Sequence, residues 1–250
     1  RRREKVTTAL LDANAAIKDH SRNTSEVLRL LEDVGEDTGG ALGVFAKASR
    51  LSEAPEGEEV DHSLCRKVLY EGGISCLVGP GGVGKSWFAI HLAIALAKGD
   101  FWMGLQCREP KRVGYLCLEM TGVAIRERIR KLDPELTHEV AERIVISGQE
   151  ATGRAVNVME EKFSIPLANW VATEKLDALI IDPLRNTHKL NEKDSTDMGD
   201  VLRVFSTLGC AVLLVHHVTK STGESRGSTA IRDWSDAVLS LAEQNGDLVL

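Results

Sequence analysis

The chain has 250 residues, enough for one sizeable α/β domain and a smaller appendage. Its apolar fraction of 43% and charged fraction of 27% are ordinary for a globular protein, and its formal net charge of −6 argues against a surface coated with basic residues. No apolar run reaches membrane-spanning length and no signal-peptide pattern opens the chain, so we expect a cytoplasmic protein without a membrane partner. The five cysteines form no C-x-x-C pair, which favours free buried thiols over disulfides or zinc.

The first part of the chain has helical periodicity without strand signals. The segment SEVLRLLEDV, for example, places its apolar residues on one helix face. We predict a helical N-terminal segment over 1–51, an acidic linker over 52–62 and the main domain over 63–250. The chain opens on RRREK without a methionine and closes on the strand-like GDLVL, so we expect a piece of a longer protein with a truncated C-terminal end.

The stretch ISCLVGPGGVGKSWFAIHLAIALAKG combines an apolar strand, a glycine-rich turn and a helix. The turn matches G-x-x-x-x-G-K-[ST] in the strand-to-helix context that this phosphate-binding motif needs. The loop amides and the helix N-terminus favour an anion, Lys85 can reach the β- and γ-phosphates, and the Ser86 hydroxyl can hold Mg²⁺. The sequence therefore predicts a nucleoside triphosphate site. The residues that would line it are Gly79, Pro80, Gly81, Gly82, Val83, Gly84, Lys85 and Ser86.

Beyond this helix, apolar strands alternate with helices. The strand segments are RVGYLCLEM, RIVISG, DALIIDPL, AVLLVHHV and AVLSL, and the helix segments are GVAIRERIRKL, IPLANWVATEKL and DSTDMGDVLRVFSTLG. The alternation predicts an α/β fold with a mostly parallel central sheet flanked by helices. Ligands of such sheets bind beyond the carboxyl ends of the strands, so polar residues that end apolar strands should gather around the phosphate.

Acidic residues end two of these strands. Asp182 follows a buried apolar run in LIIDP, the pattern of an acid that reaches Mg²⁺ opposite Ser86, although Asp before Pro also caps loops. Glu119 ends YLCLEM, where a carboxylate can orient the water that attacks the γ-phosphate. From the residues alone, a surface glutamate that begins the next helix has equal weight.

Two adjacent histidines end a third strand. His216 and His217 in LLVHHV have no Cys or third His at close ligand spacing, so zinc is not expected. A polar sensor that hydrogen-bonds the γ-phosphate fits better. Because side chains alternate along a strand, only one of the two can face the nucleotide, and the sequence leaves open which one.

The motifs GPGGVGKS, YLCLEM, LIIDPLRN, LLVHH and ESRGSTAIRDWSDAVLSL, in this order, resemble the RecA/DnaB superfamily. Within it, the chain most resembles the RepA-type hexameric helicase ATPases of plasmids and phages. The resemblance covers about residues 69–250. It implies a RecA-like P-loop fold that uses ATP and Mg²⁺ and forms a homo-oligomeric ring, a hexamer, acting on single-stranded DNA. It also implies Glu119 as the catalytic base, Asp182 as the metal-side acid and one of His216 and His217 as the sensor.

The resemblance gives arginines two further roles. Arg128 lies in the family segment that covers the adenine, with a solvated helix face as the alternative. The RepA-type pattern has an arginine where this chain has Asp236, whereas the DnaB-like R-[GE]-S signature is present at Arg226. We expect Arg226 to be the arginine finger that reaches the neighbouring subunit, and Arg232 is the second candidate.

Two polar segments, 185–195 and 219–228, lie where RecA-like motors have their DNA-facing loops, and both are expected to be mobile. Lys189, Lys193 and Lys220 are candidate phosphate contacts, but neither segment has a Tyr, Trp or Phe on which bases could stack. Solvated loops with incidental lysines are an equal alternative. The negative net charge does not exclude DNA, because a motor can line a narrow channel with a few cations.

The sequence therefore predicts a ring-forming ATPase that is the core of a replicative DNA helicase. Two competing hypotheses remain. One is a RecA- or KaiC-like regulatory or recombination ATPase that does not unwind DNA, and the other is the helicase part of a primase–helicase.

Overall fold

A six-stranded parallel sheet forms the centre of the fold in the computed structural model, which describes residues 61–192, 194–217, 229–244 and 247–250. The strands, in order across the sheet, are β10 (Ala237–Ser240), β3 (Ile74–Gly79), β9 (Ala211–His217), β8 (Ala178–Asp182), β6 (Val113–Cys117) and β7 (Ile144–Ser147). Each neighbouring pair is parallel. The predicted α/β fold with a parallel central sheet is confirmed. The predicted helical segment 1–51 lies outside the described residues.

The described helices connect these strands. They are α1 (Lys85–Lys98), α2 (Gly122–Leu132), α3 (His138–Ala141), α4 (Gln149–Thr152), α5 (Glu161–Glu174), α6 (Ser195–Ser206) and α7 (Thr229–Trp234), with a 3₁₀ turn at Leu184–Thr187. Among the described residues, no helix is long and apolar enough to cross a membrane.

Three antiparallel strand pairs lie outside the central sheet. They are β1 (Ser63–Cys65) with β2 (Leu69–Tyr70), β4 (Phe101–Trp102) with β5 (Leu105–Gln106), and β11 (Ala242–Gln244) with β12 (Asp247–Val249). The sequence analysis did not predict these pairs, because strands of two or three residues are too short to show an apolar period.

The central strands are buried on both faces, which explains their continuous apolar runs. Alternate residues along a strand enter two different cores. On β6, for example, Tyr115 belongs to the core formed with α1, whereas Leu116 belongs to the core formed with α5 and α6. All five cysteines are free and buried, as predicted.

Helix α5 begins earlier than the sequence predicts. The sequence analysis placed its start near Ile165, in the segment IPLANWVATEKL. In the structure the helix begins at Glu161, and the N–H groups of Phe163 and Ser164 donate to the Glu160 carbonyl at 2.8 and 3.1 Å. The helix therefore includes a turn before Pro166. The proline does not prevent this turn, because it removes only one intrahelical N–H donor.

Gly99 ends α1 and provides a test of backbone fit. Its φ is +68°, and a Cβ there would lie 2.8 Å from backbone atoms of Glu109 and Pro110. We predict that Gly99→Ala lowers the free energy of unfolding by about 3 kcal/mol, because strain and overlap add. Gly104→Ala is the matched control, since its φ is +79° and nothing lies within 4 Å of its added Cβ. It should cost about 1 kcal/mol in urea denaturation. Equal losses would contradict the overlap at Gly99.

Candidate active site

The glycine-rich loop joins the end of β3 to the start of α1. Gly82 and Gly84 have φ values of +80° and +101°, a region that favours glycine. Gly79 has no room for a side chain, because a Cβ would overlap the backbone carbonyl oxygen that follows β10. The first-turn amides of Lys85 and Ser86 have no acceptor within the helix. The loop and the helix N-terminus therefore form the anion-binding arrangement that the sequence predicts.

The Lys85 ammonium group folds back onto this loop. Its Nζ donates to the carbonyl oxygens of Gly79 and Pro80 at 2.8 and 2.7 Å, and lies 3.1 Å from His217 Nδ1. Lys85 is only 3% exposed. All three ammonium protons thus have acceptors, two of them uncharged carbonyls that a phosphate can replace.

Charged groups from three other strands lie near Lys85. Burial lowers the pKa of Lys85, and the carboxylates of Asp182 and Glu119 oppose that change. Burial and the Lys85 charge lower the pKa of His217, whereas the same two carboxylates raise it. The structure therefore brings Lys85, Glu119, Asp182 and His217 together at the carboxyl end of the sheet. Asp182 is 3% exposed, and Glu119 is exposed.

The Asp182 carboxylate has a partner that the sequence analysis missed. The Tyr115 hydroxyl on the neighbouring strand donates to Asp182 Oδ2 at 2.8 Å. Among the described residues, no hydrogen bond to Asp182 Oδ1 is present. In the sequence, Tyr115 is one apolar residue within a buried strand, so only the strand pairing shows its contact with the carboxylate.

The site fits Mg²⁺ bound together with a triphosphate. The Ser86 hydroxyl and Asp182 Oδ1 are oxygen ligands of the kind that Mg²⁺ prefers. Within the described part of the chain, no group of three or more His, Cys, Asp or Glu could hold a metal ion. An ion at this site would therefore complete its coordination with phosphate oxygens and water, as Mg²⁺ commonly does.

The two adjacent histidines have different surroundings. His217 contacts Lys85, whereas His216 Nδ1 lies 3.9 Å from Glu192 Oε1. His188 Nε2 lies 4.0 Å from the same oxygen. These three residues form a buried histidine–glutamate cluster. No ring nitrogen of His188 or His216 has a hydrogen-bond partner among the described residues, and neither has Glu192 Oε1.

The sequence analysis did not single out His188 or Glu192. They lie in a polar segment that it predicted as a mobile loop. The only signal available was their spacing of four residues, which brings side chains close only if the chain turns as in a helix. The structure pairs them across an irregular segment, so the contact depends on the tertiary fold.

Arg128 lies on α2 above a ring of α1. Its guanidinium carbon is 4.9 Å from the centroid of the Trp87 ring, within the range of a cation–π contact. Trp87 directly follows Ser86 in the chain. The structure therefore holds Arg128 beside the phosphate-binding loop by stacking, which a freely solvated helix face would not do.

The candidate finger residues are only partly described. Arg226 lies outside the described residues, as do Lys193, Lys220 and the whole segment 219–228. Arg232 is exposed on α7 and makes no ion pair within the part of the chain that the structure describes.

Asp236, which replaces the RepA-type arginine, has a structural contact. Its Oδ2 accepts a hydrogen bond of 2.9 Å from the N–H of Ile74 at the amino end of β3. This contact joins the start of β3 to the residue just before β10. It lies at the end of the strand opposite to the phosphate-binding loop.

The first predicted DNA-facing segment is more firmly held than expected. It begins within the 3₁₀ turn, and Thr187 in that turn and His188 directly after it are both buried. Two backbone N–H groups of the segment 156–158 donate to its carbonyls at 2.9 Å. The sequence analysis did not predict this 3₁₀ turn or these backbone hydrogen bonds, and the expected mobility of the segment stays a prediction. Arg185 and Lys189 nevertheless have exposed side chains.

The buried histidine–glutamate cluster leads to a prediction about pH and stability. Burial lowers the pKa of His216 from 6.5 to about 4, and the nearby His217, His188, Lys85 and Arg185 add to this. Between these pH values the unfolded chain binds more protons than the folded one, so the folded state loses stability as the pH falls from about 6.5 to 4. The loss from this group is at most about 3 kcal/mol.

The test is urea unfolding at several pH values for the wild type and His216→Asn. The variant should have a flatter pH dependence between pH 6.5 and 4. Some slope should remain, because burial lowers the pKa of His188 as well. Identical slopes for both proteins would show that His216 does not titrate in this way.

Comparisons with known proteins agree with this geometry. Residues 47–223 match the AAA_25 family model, described as an AAA domain. Among solved structures, the chain is similar to the KaiC-like protein PH0186 from the hyperthermophilic archaeon Pyrococcus horikoshii OT3, with a TM-score of 0.51 and 20% sequence identity over 74% of this chain and 79% of that chain. That similarity supports the predicted RecA-like fold. Since the family model matches more than half of the sequence, the chain is a RecA-like P-loop ATPase domain that belongs to the AAA_25 family.

Proposed function

We propose that this chain is the ATPase core of a ring-forming replicative DNA helicase of the RepA type. It would hydrolyse ATP with Mg²⁺ and act on single-stranded DNA in the cytoplasm. The observation that carries the DNA part is the segment directly after Asp182. Two exposed cations, Arg185 and Lys189, follow the candidate metal-side acid within seven residues. This segment can therefore bind the phosphates of a DNA strand and connect that binding to ATP hydrolysis.

ATP binding is assigned to the glycine-rich loop and the residues around it. Lys85 would exchange the carbonyls of Gly79 and Pro80 for phosphate oxygens, which make stronger, charge-assisted hydrogen bonds. Ser86 and Asp182 would hold Mg²⁺, which offsets the charge that develops on the phosphates. Arg128 would cover the adenine from its position on the Trp87 ring.

Hydrolysis is assigned to Glu119 and His217. Glu119 is exposed at the carboxyl end of β6, where it can orient the attacking water and accept its proton. His217 loses its contact with Lys85 when the ammonium group turns to the phosphates. With a proton on Nδ1, its ring can then donate a hydrogen bond to a γ-phosphate oxygen and act as the sensor. This assigns the sensor role to His217, since His216 faces Glu192.

DNA binding is assigned to the cations after Asp182. The ion pairs Arg185–Glu192 and Lys189–Glu160 both have N···O distances of 3.9 Å. Each joins an exposed cation to a half-buried carboxylate, and pairs with such long contacts and an exposed partner are worth about 0–1 kcal/mol. Phosphates of a single strand can therefore replace the carboxylates at little cost. Arg185 lies in the 3₁₀ turn at Leu184–Thr187, and Lys189 follows that turn.

A KaiC-like regulatory or recombination ATPase is the second candidate. The similarity to the KaiC-like protein PH0186 favours it, as does the absence of an aromatic residue from the described part of 185–195. Both candidates share the ATP site and differ in their use of DNA. The helicase part of a primase–helicase would use DNA in the same way as the replicative helicase proposed first.

Single-stranded DNA separates the two candidates. We predict that ATP turnover rises several-fold when an oligo(dT) is added and that the protein displaces one strand of a forked duplex in an ATP-dependent way. Steady-state ATPase and strand-displacement assays check this, with duplex DNA and RNA in parallel. Turnover indifferent to all three nucleic acids would favour the regulatory ATPase.

The matched control is Glu119→Gln, which keeps the shape of the side chain but removes the base. It should bind ATP with an affinity close to that of the wild type. Its rate of ATP hydrolysis should fall by about 10²-fold or more, with and without DNA. This control excludes a contaminating ATPase. Preserved single-turnover hydrolysis in this variant would reject Glu119 as the base.

The arginine finger can be tested by mixing subunits. Arg226→Ala and Lys85→Ala should each be inactive, since a finger contributes about 10³-fold or more and the lysine holds the phosphates. Mixed rings should regain ATPase activity, because an intact loop then meets an intact arginine. The same mixture with Arg232→Ala decides between the two arginines. Activity of Arg226→Ala alone, or inactive rings that demonstrably contain both variants, would contradict the assignment to Arg226.

A further inference from the structure

Tyr115 is a tyrosine in the middle of the central sheet, and its hydroxyl has one hydrogen-bond partner among the residues that the structure describes. It is 1% exposed, and its hydroxyl donates to Asp182 Oδ2 at 2.8 Å. A hydroxyl buried without a hydrogen bond costs free energy, so a phenylalanine would fill this position better if packing were the only requirement. The hydroxyl therefore points to a role at the carboxylate.

Strand pairing fixes the relative position of the two side chains. The register of β6 against β8 pairs Tyr115 with Ile180 and Cys117 with Asp182. The phenol of Tyr115 therefore extends along the sheet by two residues, from the level of Ile180 to that of Asp182, to reach the carboxylate. Tyr115 and Ile180 belong to the same core, which restricts the ring to one orientation.

The hydroxyl can act only as a donor towards this carboxylate. Burial raises the pKa of Tyr115 well above its ordinary value, and the Asp182 charge and hydrogen bond raise it further. An ionised carboxylate can only accept, so the bond occupies Oδ2 and leaves Oδ1 for other partners.

We propose that Tyr115 is a positioning residue whose hydroxyl fixes the Asp182 carboxylate so that Oδ1 remains available to Mg²⁺ bound with the nucleotide. The proposal rests on the proposed function, which gives Asp182 the metal-side role. Without the hydroxyl, the carboxylate can rotate about its Cβ–Cγ bond and turn either oxygen towards Lys85. Removal of a hydrogen bond that orients a metal ligand typically costs about 10- to 100-fold in metal affinity.

The experiment compares the wild-type chain with Tyr115→Phe, which removes only the hydroxyl. A fluorescent ATP analogue is bound in EDTA and then titrated with Mg²⁺, so that binding is followed without hydrolysis. We expect the Mg²⁺ concentration at half-saturation to rise about 10-fold. The affinity for the analogue in EDTA should stay within about twofold of the wild type.

Val113→Ala is the matched control for core damage. Val113 lies two residues earlier on β6 and is fully buried in the same core. This variant should lower Tm without moving the Mg²⁺ half-saturation. Asp182→Asn should weaken the Mg²⁺ dependence at least as much as Tyr115→Phe. The double variant Tyr115→Phe/Asp182→Asn should add no further loss, because the hydroxyl acts through the carboxylate.

Three outcomes would overturn the proposal, and they differ from one another. If Tyr115→Phe lowers Tm but leaves the Mg²⁺ half-saturation within twofold, the tyrosine is only structural. A further loss in the double variant would show that Tyr115 acts by another route. If Asp182→Asn has no effect on the Mg²⁺ titration, the metal-side role in the proposed function fails together with the role of Tyr115. Nucleotide binding lost in Lys85→Ala but kept in Asp182→Asn would still support the P-loop site in that case.

Discussion

The burial of one ammonium group is the constraint on which the arrangement of the site depends. Lys85 is almost inaccessible to water, and a buried charge is unfavourable unless it has both hydrogen bonds and a counter-charge. Two loop carbonyls and His217 provide hydrogen bonds, and Asp182 and Glu119 provide negative charge nearby. Neither carboxylate forms an ion pair with Lys85 within the described residues. A triphosphate would supply the contact and the charge together, which accounts for the affinity that such a site can reach.

The strand order places the four charged groups in a row along the edge of the sheet. Gly79 and His217 are direct partners in the register of β3 and β9, so the histidine lies beside the start of the phosphate-binding loop. The next strands, β8 and β6, end near Asp182 and Glu119. The row is therefore a consequence of parallel pairing in the order β3-β9-β8-β6. A different strand order would separate the same residues, even with every local motif intact.

The parts of the fold that could be predicted from the sequence are those fixed by local chemistry. The glycine-rich loop needs positive φ at Gly82 and Gly84, and buried parallel strands need apolar residues on both faces. The contacts that could not be predicted all cross between elements. Tyr115 has the pattern of an ordinary core residue, and the Arg128–Trp87 contact joins two helices that no sequence period connects. The cluster of His188, Glu192 and His216 was not expected from the polar sequence around His188. The 3₁₀ turn directly before His188 places this side chain in the interior.

The adjacent histidines connect the two sides of the sheet. His217 contacts the ammonium group of the phosphate site, and His216 lies against Glu192, which follows the segment that bears the exposed cations. Successive side chains of a strand point to opposite faces of the sheet, so the two histidines have different neighbours. The ring nitrogens of His188 and His216 and the Glu192 Oε1 atom have no hydrogen-bond partner among the described residues. A buried polar atom without a partner typically costs about 1–3 kcal/mol. The surroundings of His216 therefore depend on the segment after Asp182, whereas those of His217 depend on the phosphate-binding loop.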